Sequence, residues 1–293
     1  LHFDLTLPFA RYTAQHCQYA LIMPNTLPAA ILTAADVIEY RAEIVEEMKR
    51  LRAEHFTPLM TIQIVDSTTP DMIREAKKVG VVAGKCYPKG VTTNSHNGIS
   101  NFYKLRKVFT AMEEVNMVLC LHGQKPEVFC LDREKGFHDI LRWVAQEFPK
   151  LRIVMEHISI AASVELVYSL PANVVATITG HHLKLTLHDV IAHYDERFNR
   201  EGLGPHNYCQ PIPQTPEDRA ELIEAATSGN PKFFFGSDTA PHLRENKEHS
   251  CGCAGCFTAP IVIPMLASVF EGVGRLHMLE SFTSVFGAHF YGL

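Results

Sequence analysis

Residues 81–122 decide the fold, and they read VVAGKCYPKGVTTNSHNGISNFYKLRKVFTAMEEVNMVLCLH. The stretch begins and ends with short apolar runs, VVAGKCY at 81–87 and MVLCLH at 117–122. Between the two runs, five apolar residues fall on one helical face: Leu105, Val108, Phe109, Met112 and Val115. Near-continuous apolar strands separated by a helix are typical of a parallel sheet that is covered on both faces. The stretch therefore predicts a strand, a helix and a second, parallel strand.

The same alternation recurs along the whole chain. Six more apolar runs are separated by helical segments: LHF at 1–3, ALIM at 20–23, LMTIQIV at 59–65, RIVMEH at 152–157, VVATIT at 174–179 and FFFGSD at 233–238. Thr215, followed by Glu217 and Asp218, predicts the start of one of the helices. Eight strand-helix units favour a closed (β/α)8 barrel of the TIM type over a doubly wound sheet. No linker or repeat divides the sequence, so we expect residues 1–293 to form a single domain.

The composition is that of an ordinary globular protein. The 293 residues carry a formal net charge of −5, with 46% hydrophobic and 20% charged positions, which excludes a coiled coil or a disordered chain. No lysine or arginine run marks a nucleic-acid binder, and no uncharged apolar stretch reaches the roughly 18 residues of a membrane helix. Cys86, Cys120 and Cys209 lie in or beside apolar runs, so we expect buried, reduced thiols and a cytoplasmic protein, with an organellar location as the alternative.

A polar residue that can bind a metal or form a hydrogen bond ends nearly every apolar run. These residues are His2, Asn25, Asp66, Lys85, His122, His157, the adjacent pair His181 and His182, and Asp238. The carboxyl ends of the strands converge at one mouth of a barrel, where the catalytic groups of such enzymes lie. Any one of these residues alone would be interpreted as a polar cap on its strand. Their recurrence predicts a single site.

Four of these residues have the chemistry of zinc ligands. A catalytic zinc site takes imidazole nitrogen and carboxylate oxygen, and it leaves one position open for water. His2, His122, His157 and Asp238 supply such atoms. The same donors also accept cobalt or manganese, so they predict a divalent metal site without fixing the identity of the metal.

Lys85 is the exception, because a protonated ammonium group beside metal ions would be repelled. A lysine in this place must lose its proton or be altered chemically, and reaction with carbon dioxide would give a carbamate anion that can bridge two metals. The alternative is a surface lysine of which only the aliphatic stem is buried. Ala83, Gly84 and Cys86 give Lys85 the setting of a buried strand and favour the first interpretation.

Nine segments resemble the shorter, monofunctional dihydroorotases of the amidohydrolase superfamily. They follow in order through almost the whole chain: MPN at 23–25, GKCYPKGVTTNS at 84–95, LHG at 121–123, EHI at 156–158, ATITGHHL at 176–183, GPHNYCQP at 204–211, GSDTAPH at 236–242, CGCAGCF at 251–257 and FYGL at 290–293. The stretch from Gly236 to Phe257 is specific to this family within the superfamily. The resemblance implies the reversible cyclisation of N-carbamoyl-L-aspartate to L-dihydroorotate plus water, a step of de novo pyrimidine biosynthesis.

The resemblance also implies a metal centre with two zinc ions per subunit. Lys85 matches the carboxylated lysine that bridges the ions, and His122 and His157 match the ligands of one ion. His2 and Asp238 match ligands of the other. Asp238 also matches the general acid/base, which would exchange protons with a hydroxide activated by the zinc ions and with the ring nitrogen of the substrate.

Further positions match the family's substrate-binding groups. Asn25, His242 and the backbone around Ala254 match groups that bind the substrate, its carboxylate included. Thr92 and Thr93 match the tip of a mobile loop that closes over bound carbamoyl aspartate. The resemblance implies a small-molecule substrate and a homodimer, with no nucleic-acid or membrane partner.

The two ends of the chain depart from the family pattern. The family's first strand has two histidines one residue apart, followed by an arginine that pairs with the substrate carboxylate, whereas this chain begins Leu1-His2-Phe3-Asp4. It stops at FYGL, before the family's usual C-terminal extension. We therefore expect a sequence that is incomplete at both ends. The alternative is a catalytically inactive dihydroorotase-like structural protein.

A second alternative is another cyclic-amide hydrolase, such as a hydantoinase or an allantoinase, which would share the metal ligands. The segments TAPH at 239–242 and CGCAGC at 251–256 favour a dihydroorotase over these enzymes.

Several residues keep two interpretations. The four residues His249, Cys251, Cys253 and Cys256 are close enough in sequence for a zinc site of their own, although the resemblance makes the segment an active-site loop. His181 and His182 either support the metal ligands from behind or pack in the core with a backbone carbonyl as partner. Asp66 is a further candidate for such a supporting position.

Overall fold

The computed structural model describes most of the chain. The described residues are 10–26, 29–92, 95–196, 199–250 and 252–293. Of the predicted site residues, His2 and Thr93 lie outside them, and so does Cys251.

Nine strands occur in the described residues. They are β1 Tyr19–Ile22, β2 Thr57–Ile64, β3 Ala83–Cys86, β4 Val118–His122, β5 Ile153–Glu156, β6 Val174–Ile178, β7 His193–Asp195, β8 Arg200–Gly202 and β9 Phe233–Phe235. Seven of them form one sheet in the order β1-β2-β3-β4-β5-β6-β9. The pairs β1–β2, β2–β3, β3–β4 and β6–β9 are parallel. Each of the seven coincides with a predicted apolar run, and the remaining run, residues 1–3, lies outside the described residues.

Helices alternate with the strands of this sheet. The α-helices of the described residues are α1 Ala10–Ala14, α2 Ala34–Arg50, α3 Pro70–Lys78, α4 Arg106–Glu114, α5 Arg133–Glu147, α6 Ala161–Ser169, α7 Leu187–Ile191, α8 Pro216–Thr227, α9 Arg244–Lys247, α10 Val262–Gly272 and α11 Phe286–Tyr291. Short 3₁₀ turns occur at Phe102–Leu105, Pro205–Asn207 and Leu276–Met278, and a π-helical turn occurs at Ser281–Val285. None of the helices in the described part of the chain has the length and apolar character needed to cross a membrane.

Threonine caps define where several helices begin. Thr215 precedes α8, and its Oγ1 accepts a hydrogen bond from the backbone nitrogen of Asp218. The backbone nitrogen of Thr215 in turn donates to Oδ2 of Asp218, which confirms the predicted start. Thr33 forms the same reciprocal pair at the start of α2. Such a capping box satisfies two backbone donors that a helix leaves unpaired at its first turn.

The chain divides into two compact units, of which the first positions Lys85 and His122. It comprises Leu1–Pro126, Asp139–Met155 and Pro171–Val174. The register of β2, β3 and β4 places Gln63, Lys85 and Cys120 in one row. Paired residues of neighbouring strands point to the same face of a sheet. All three are buried, so this row lies inside the unit.

Apolar helix faces cover this part of the sheet. Ile44 of α2, Ile73 of α3 and Phe109 of α4 are each fully buried. Val108 and Met112 share the buried face of α4 with Phe109, as the spacing in residues 105–115 predicts. The burial of a large apolar side chain contributes about 1.5–3 kcal/mol, so these faces fix the helices on the sheet.

The second unit positions His157 and Asp238. It comprises Glu127–His138, Glu156–Leu170 and Val175–Leu293. Strand β6 pairs with β9, with Thr177 opposite Phe234. Phe233, Leu266 and Phe270 form part of its buried core.

An antiparallel ribbon of β7 and β8 belongs to the second unit and was not predicted. His193 pairs with Gly202 and Asp195 with Arg200. Its residues are polar and mostly exposed, so the ribbon lacks the apolar run by which the other strands were found.

Candidate active site

Lys85 is buried in the middle of the first unit. It lies on β3 with 2% of its surface exposed, so it is not a surface lysine with a solvated head group. Its Nζ lies 5.2 Å from the centre of the Tyr87 ring. A buried ammonium group is expensive unless it is paired, neutralised or chemically altered.

His122 ends β4 and is held as a neutral imidazole. Its Nε2 lies 2.8 Å from Oε1 of Gln124. Because an amide oxygen only accepts hydrogen bonds, Nε2 carries the proton and Nδ1 carries the lone pair. Burial, aided by the charge of Lys85, lowers the pKa of His122 to about 3. The ring is thus in the protonation state in which a histidine binds a metal.

Tyr87 brings three of the predicted site residues together. Its ring centre lies 6.0 Å from that of His122 and faces Nζ of Lys85. Its Oη donates a 2.7 Å hydrogen bond to Oδ1 of Asn25, which is 3% exposed. The sequence analysis missed Tyr87, although its place two residues after Lys85, at the end of the run VVAGKCY, could have indicated it.

His157 and Asp238 share an unusual backbone conformation in the second unit. Their φ angles are 43° and 40°, in the left-handed region. This conformation costs a residue with a side chain about 1–3 kcal/mol, and such strain clusters at active sites. Each residue ends its predicted apolar run: His157 directly follows β5, and Asp238 lies three residues after the end of β9.

Thr177 of β6 fixes the turn at His157. Its Oγ1 accepts a 2.6 Å hydrogen bond from the backbone nitrogen of His157 and donates a 2.7 Å bond to Oε2 of Glu156. A Cβ on Gly236 would lie 2.8 Å from Cβ of Thr177, so only glycine allows the chain leading to Asp238 to pass this close. Thr177 therefore touches both segments that lead to predicted metal ligands, and the sequence analysis missed it.

A buried carboxyl group supports the same turn from behind. Glu134 of α5 is 2% exposed and accepts hydrogen bonds from the backbone nitrogen and the hydroxyl of Ser159, two residues after His157. Burial raises the pKa of Glu134 to about 7, and its hydrogen bonds with Ser159 and Ser163 oppose that shift.

The predicted substrate-binding groups His242 and Ala254 are in contact. Nε2 of His242 lies 3.0 Å from the carbonyl oxygen of Ala254, so this nitrogen carries the proton and donates. The segments that carry them run side by side, since the backbone nitrogen of Ala240 donates to the carbonyl of Cys256 at 3.0 Å.

Lys247 holds the loop around Ala254. The side chain is 3% exposed, and its Nζ donates to the carbonyl oxygens of Tyr208 at 3.0 Å, Cys253 at 2.7 Å and Gly255 at 2.9 Å. The acceptors Cys253 and Gly255 flank Ala254 on both sides. The sequence analysis missed Lys247 because nothing in its neighbourhood, RENKEH, marks a buried lysine.

The remaining predicted residues take different places. Thr92 is half-buried, and its backbone nitrogen donates to Oγ of Ser95 at 3.0 Å, which forms a closed turn. Asp66 is exposed and accepts from Ser100, so it caps a loop and does not support a metal ligand. Nε2 of His182 lies 2.9 Å from the carbonyl of Pro211, which is the packed alternative given for this residue.

The cysteines of the described residues form no disulfide with one another, and Cys86, Cys120 and Cys209 are buried as predicted. Within the described part of the chain, the metal-binding atoms that come within 4.8 Å of one another belong to His181, His182 and Cys209. The atoms of His249, Cys253 and Cys256 do not form such a group there.

Comparison with known proteins gives similar chains at moderate identity. The dihydroorotase of Aromatoleum aromaticum is 44% identical over 286 residues, which are 96% of this chain and 80% of that protein. The dihydroorotase of Shewanella denitrificans is 45% identical over 294 residues, which are 99% of this chain and 81% of that protein. No family model matches the chain.

Solved structures similar to this chain also include a dihydroorotase. The dihydroorotase of Saccharomyces cerevisiae in complex with 5-fluoroorotic acid has a TM-score of 0.87 and 35% identity, and covers 99% of this chain and 80% of its own. The L-hydantoinase (dihydropyrimidinase) of Arthrobacter aurescens has a TM-score of 0.80 at 17% identity and covers 99% of this chain and 66% of its own, which shows the shared fold alone. The neighbours confirm the predicted (β/α)8 barrel of the TIM type.

Proposed function

The chain belongs to the dihydroorotase family of the amidohydrolase superfamily, and from this premise we propose that it cyclises N-carbamoyl-L-aspartate reversibly to L-dihydroorotate plus water. The reaction is a step of de novo pyrimidine biosynthesis. The observation that carries the proposal is the 44–45% identity to dihydroorotases over 96–99% of the chain. The buried Lys85 beside a neutral His122 agrees with it.

The donor set fits the metal centre of this metal-dependent family. Lys85 sits in an interior where a carbamate would serve better than an ammonium ion, and His122 offers the lone pair of Nδ1. His157 and Asp238 are the other proposed ligands among the described residues, and His2 is the proposed ligand outside them. Two zinc ions bridged by carboxylated Lys85 would supply an activated hydroxide and polarise the carbonyl that it attacks.

Asp238 is the proposed general acid/base. In the hydrolytic direction its carboxylate takes the proton of the nucleophile and delivers it to the leaving ring nitrogen. In the direction of cyclisation the same steps run backwards. The left-handed turn at φ 40° fixes the direction of this side chain, which supports a role that depends on its orientation.

Asn25 and His242 are proposed to orient the substrate. Tyr87 donates to Oδ1 of Asn25 and so fixes the orientation of the side chain that is proposed to bind the substrate. The bond of His242 to the carbonyl of Ala254 sets the ring beside the peptide groups of that loop. Peptide N–H groups of this loop would favour a carboxylate, and such positioning lowers the barrier of a reaction by several kcal/mol.

Further parts of the proposal rest on the family resemblance. Thr92 and Thr93 are proposed to lie at the tip of a loop that closes over the substrate. We also propose a single barrel domain over residues 1–293, a homodimer and a cytoplasmic location.

Two alternative functions compete with the dihydroorotase reaction. A hydantoinase-like enzyme would share the barrel, as the Arthrobacter aurescens structure does at 17% identity. A catalytically inactive relative would keep the fold without the chemistry. The dihydroorotase-specific segments around His242 and Ala254 favour the proposed reaction over a hydantoinase-like one, and metal content with turnover distinguishes it from an inactive relative.

A matched set of assays on the full-length protein distinguishes them. Metal content is measured together with cyclisation of carbamoyl aspartate and with opening of a hydantoin ring. We expect two bound metals, turnover of carbamoyl aspartate and loss of metal in Lys85→Ala. Preference for the hydantoin would support the second enzyme class, and absence of both metal and turnover would support an inactive protein. Two metals retained in Lys85→Ala would contradict the bridging role.

A further inference from the structure

A second group of metal-binding side chains lies in the second unit and has no part in the proposed reaction. One ring nitrogen from each of His181 and His182 and the sulfur of Cys209 lie within 4.8 Å of one another. The three residues are 2%, 1% and 1% exposed. A tetrahedral zinc ion spaces such atoms about 3.3–3.8 Å apart, so small side-chain movements would suffice to bind one.

His181 is the residue that points to a ligand. Neither of its ring nitrogens has a hydrogen-bond partner in the part of the chain that the structure describes. Burial holds the ring neutral, since it lowers the pKa of His181 well below its ordinary value. A buried polar group without a partner costs about 1–3 kcal/mol, and a bound metal would remove that cost.

Cys256 is the nearest candidate for a fourth donor. Its thiol interacts with that of Cys209 and is 4% exposed, but its sulfur lies outside the 4.8 Å group and donates to the carbonyl oxygen of His206 at 3.6 Å. Sulfur of Cys209 lies 3.9 Å from Nε2 of His182, so a movement of the Cys256 side chain would add a second sulfur to the group. Two sulfur and two nitrogen donors in a tetrahedral arrangement are typical of zinc.

The charge balance suits a divalent cation. Two thiolates, two neutral rings and a doubly charged ion sum to zero, which a buried site requires. The hydrogen bond between the two thiols and burial raise the pKa of Cys209 well above its ordinary value, while the same hydrogen bond lowers the pKa of Cys256; the ammonium group of Lys247 favours the thiolate form of each. Binding replaces the two thiol protons by the metal and releases them.

His182 can join the site by exchanging its ring proton. Nε2 of His182 donates to the carbonyl of Pro211, while Nδ1 lies 2.8 Å from Oγ1 of Thr179. With the proton on Nδ1, the ring would donate to Thr179 and turn the lone pair of Nε2 to the metal. A hydrogen bond from the far nitrogen is the usual support of a metal-bound histidine.

We propose that His181, His182, Cys209 and Cys256 form an additional metal site, which binds one thiol-seeking divalent cation of the zinc class. Its ligands differ from those proposed for the catalytic centre, and two of them are sulfur.

Cobalt is the probe that separates the two kinds of site. Sulfur bound to Co²⁺ gives a charge-transfer band in the near ultraviolet, whereas nitrogen and oxygen ligands do not. Chelator-treated protein is titrated with Co²⁺, and the band is then displaced with Zn²⁺. We expect a band that saturates at one equivalent, is absent in Cys209→Ser, and needs at least about tenfold more Co²⁺ in His181→Gln.

Two cysteine variants serve as controls. Cys130 is exposed, and Cys253 lies in the neighbouring loop, so Cys130→Ser and Cys253→Ser should both keep the band of the unchanged protein. Absence of the band in the unchanged protein would overturn the proposal. So would a band that Cys253→Ser removes and Cys209→Ser retains, because the sulfur ligands would then belong to residues 249–256. His181→Gln keeps all thiols, so a Co²⁺ titration identical to that of the unchanged protein would overturn the role of His181 even if Cys209→Ser fails to fold.

Discussion

The backbone N–H of His157 donates a 2.6 Å hydrogen bond to Oγ1 of Thr177 on the neighbouring strand. The same hydroxyl donates to Glu156, so one threonine holds both residues at the end of β5. The left-handed turn at His157 depends on this contact, because the strain of a positive φ persists only where the surroundings impose it.

Thr177→Val removes the hydroxyl and keeps the shape of the side chain. We expect metal affinity measured by competition with a chelator to fall about 10–100-fold, the usual effect of losing a group that positions a ligand. Thr177→Ser should restore most of the affinity. The control is Thr61→Val, since Thr61 is a buried strand threonine that donates to the carbonyl of Ile22. Equal loss of metal affinity in both valine variants would contradict a specific role for Thr177.

Lys247→Met removes three hydrogen bonds from the loop that carries Ala254. We expect KM for carbamoyl aspartate to rise by about 5- to 30-fold, equivalent to roughly 1–2 kcal/mol, with a smaller change in kcat. Lys247→Arg should recover part of the effect. Lys232 offers a matched control, since its Nζ also donates to a group of carbonyl oxygens, at the end of α6. Lys232→Met should lower stability and leave KM unchanged, and a KM unchanged in Lys247→Met would remove Lys247 from the site.

Tyr87→Phe removes the donor to Asn25 and keeps the ring beside Lys85. One such hydrogen bond contributes about 0.5–1.5 kcal/mol, so KM for carbamoyl aspartate should rise about 2- to 10-fold with metal content unchanged. Steady-state kinetics in parallel with metal analysis measures both. Tyr168→Phe is the control, because the ring of Tyr168 packs on Phe233, with 4.9 Å between ring centres, and has no part in the proposed site.

Glu134 predicts a pH dependence of stability. Burial raises the pKa of its carboxyl group from 4.5 to about 7, so between these values the folded protein binds a proton that the unfolded chain has lost. The contribution of Glu134 to stability is therefore full below about pH 4.5 and is lost as the pH rises through about 7. Urea unfolding across this range should show a shallower loss of stability for Glu134→Gln than for the unchanged protein. Parallel curves for the two proteins would contradict the raised pKa.

The strands of the main sheet could be predicted because their apolar runs are buried in the fold. The run MVLCLH became β4, with every residue of the strand buried, and its last residue is the predicted ligand His122. The ribbon of β7 and β8 escaped prediction because His193, Tyr194 and Arg200 are exposed and follow no alternation. The periodicity of apolar residues in a sequence indicates which elements are buried, and an exposed ribbon has no such periodicity.

The predicted site residues end strands or stand in motifs, whereas the supporting residues do not. Tyr87, Thr177 and Lys247 act through contacts with Asn25, His157 and Gly255, which lie 62, 20 and 8 positions away in the sequence. A single tyrosine, threonine or lysine has no spacing that marks such a role. The hydrogen bond of His182 depends in the same way on the position of Pro211, which only the folded chain provides.

Asp238→Ala in the metal-loaded, full-length protein tests the central claim most directly. Formation of L-dihydroorotate from N-carbamoyl-L-aspartate is measured for the variant and the unchanged protein, with circular dichroism as a check of the fold. The account predicts turnover by the unchanged protein and none above background by the variant, which keeps its fold. No turnover by the unchanged, metal-loaded protein, or undiminished turnover by Asp238→Ala, would contradict it.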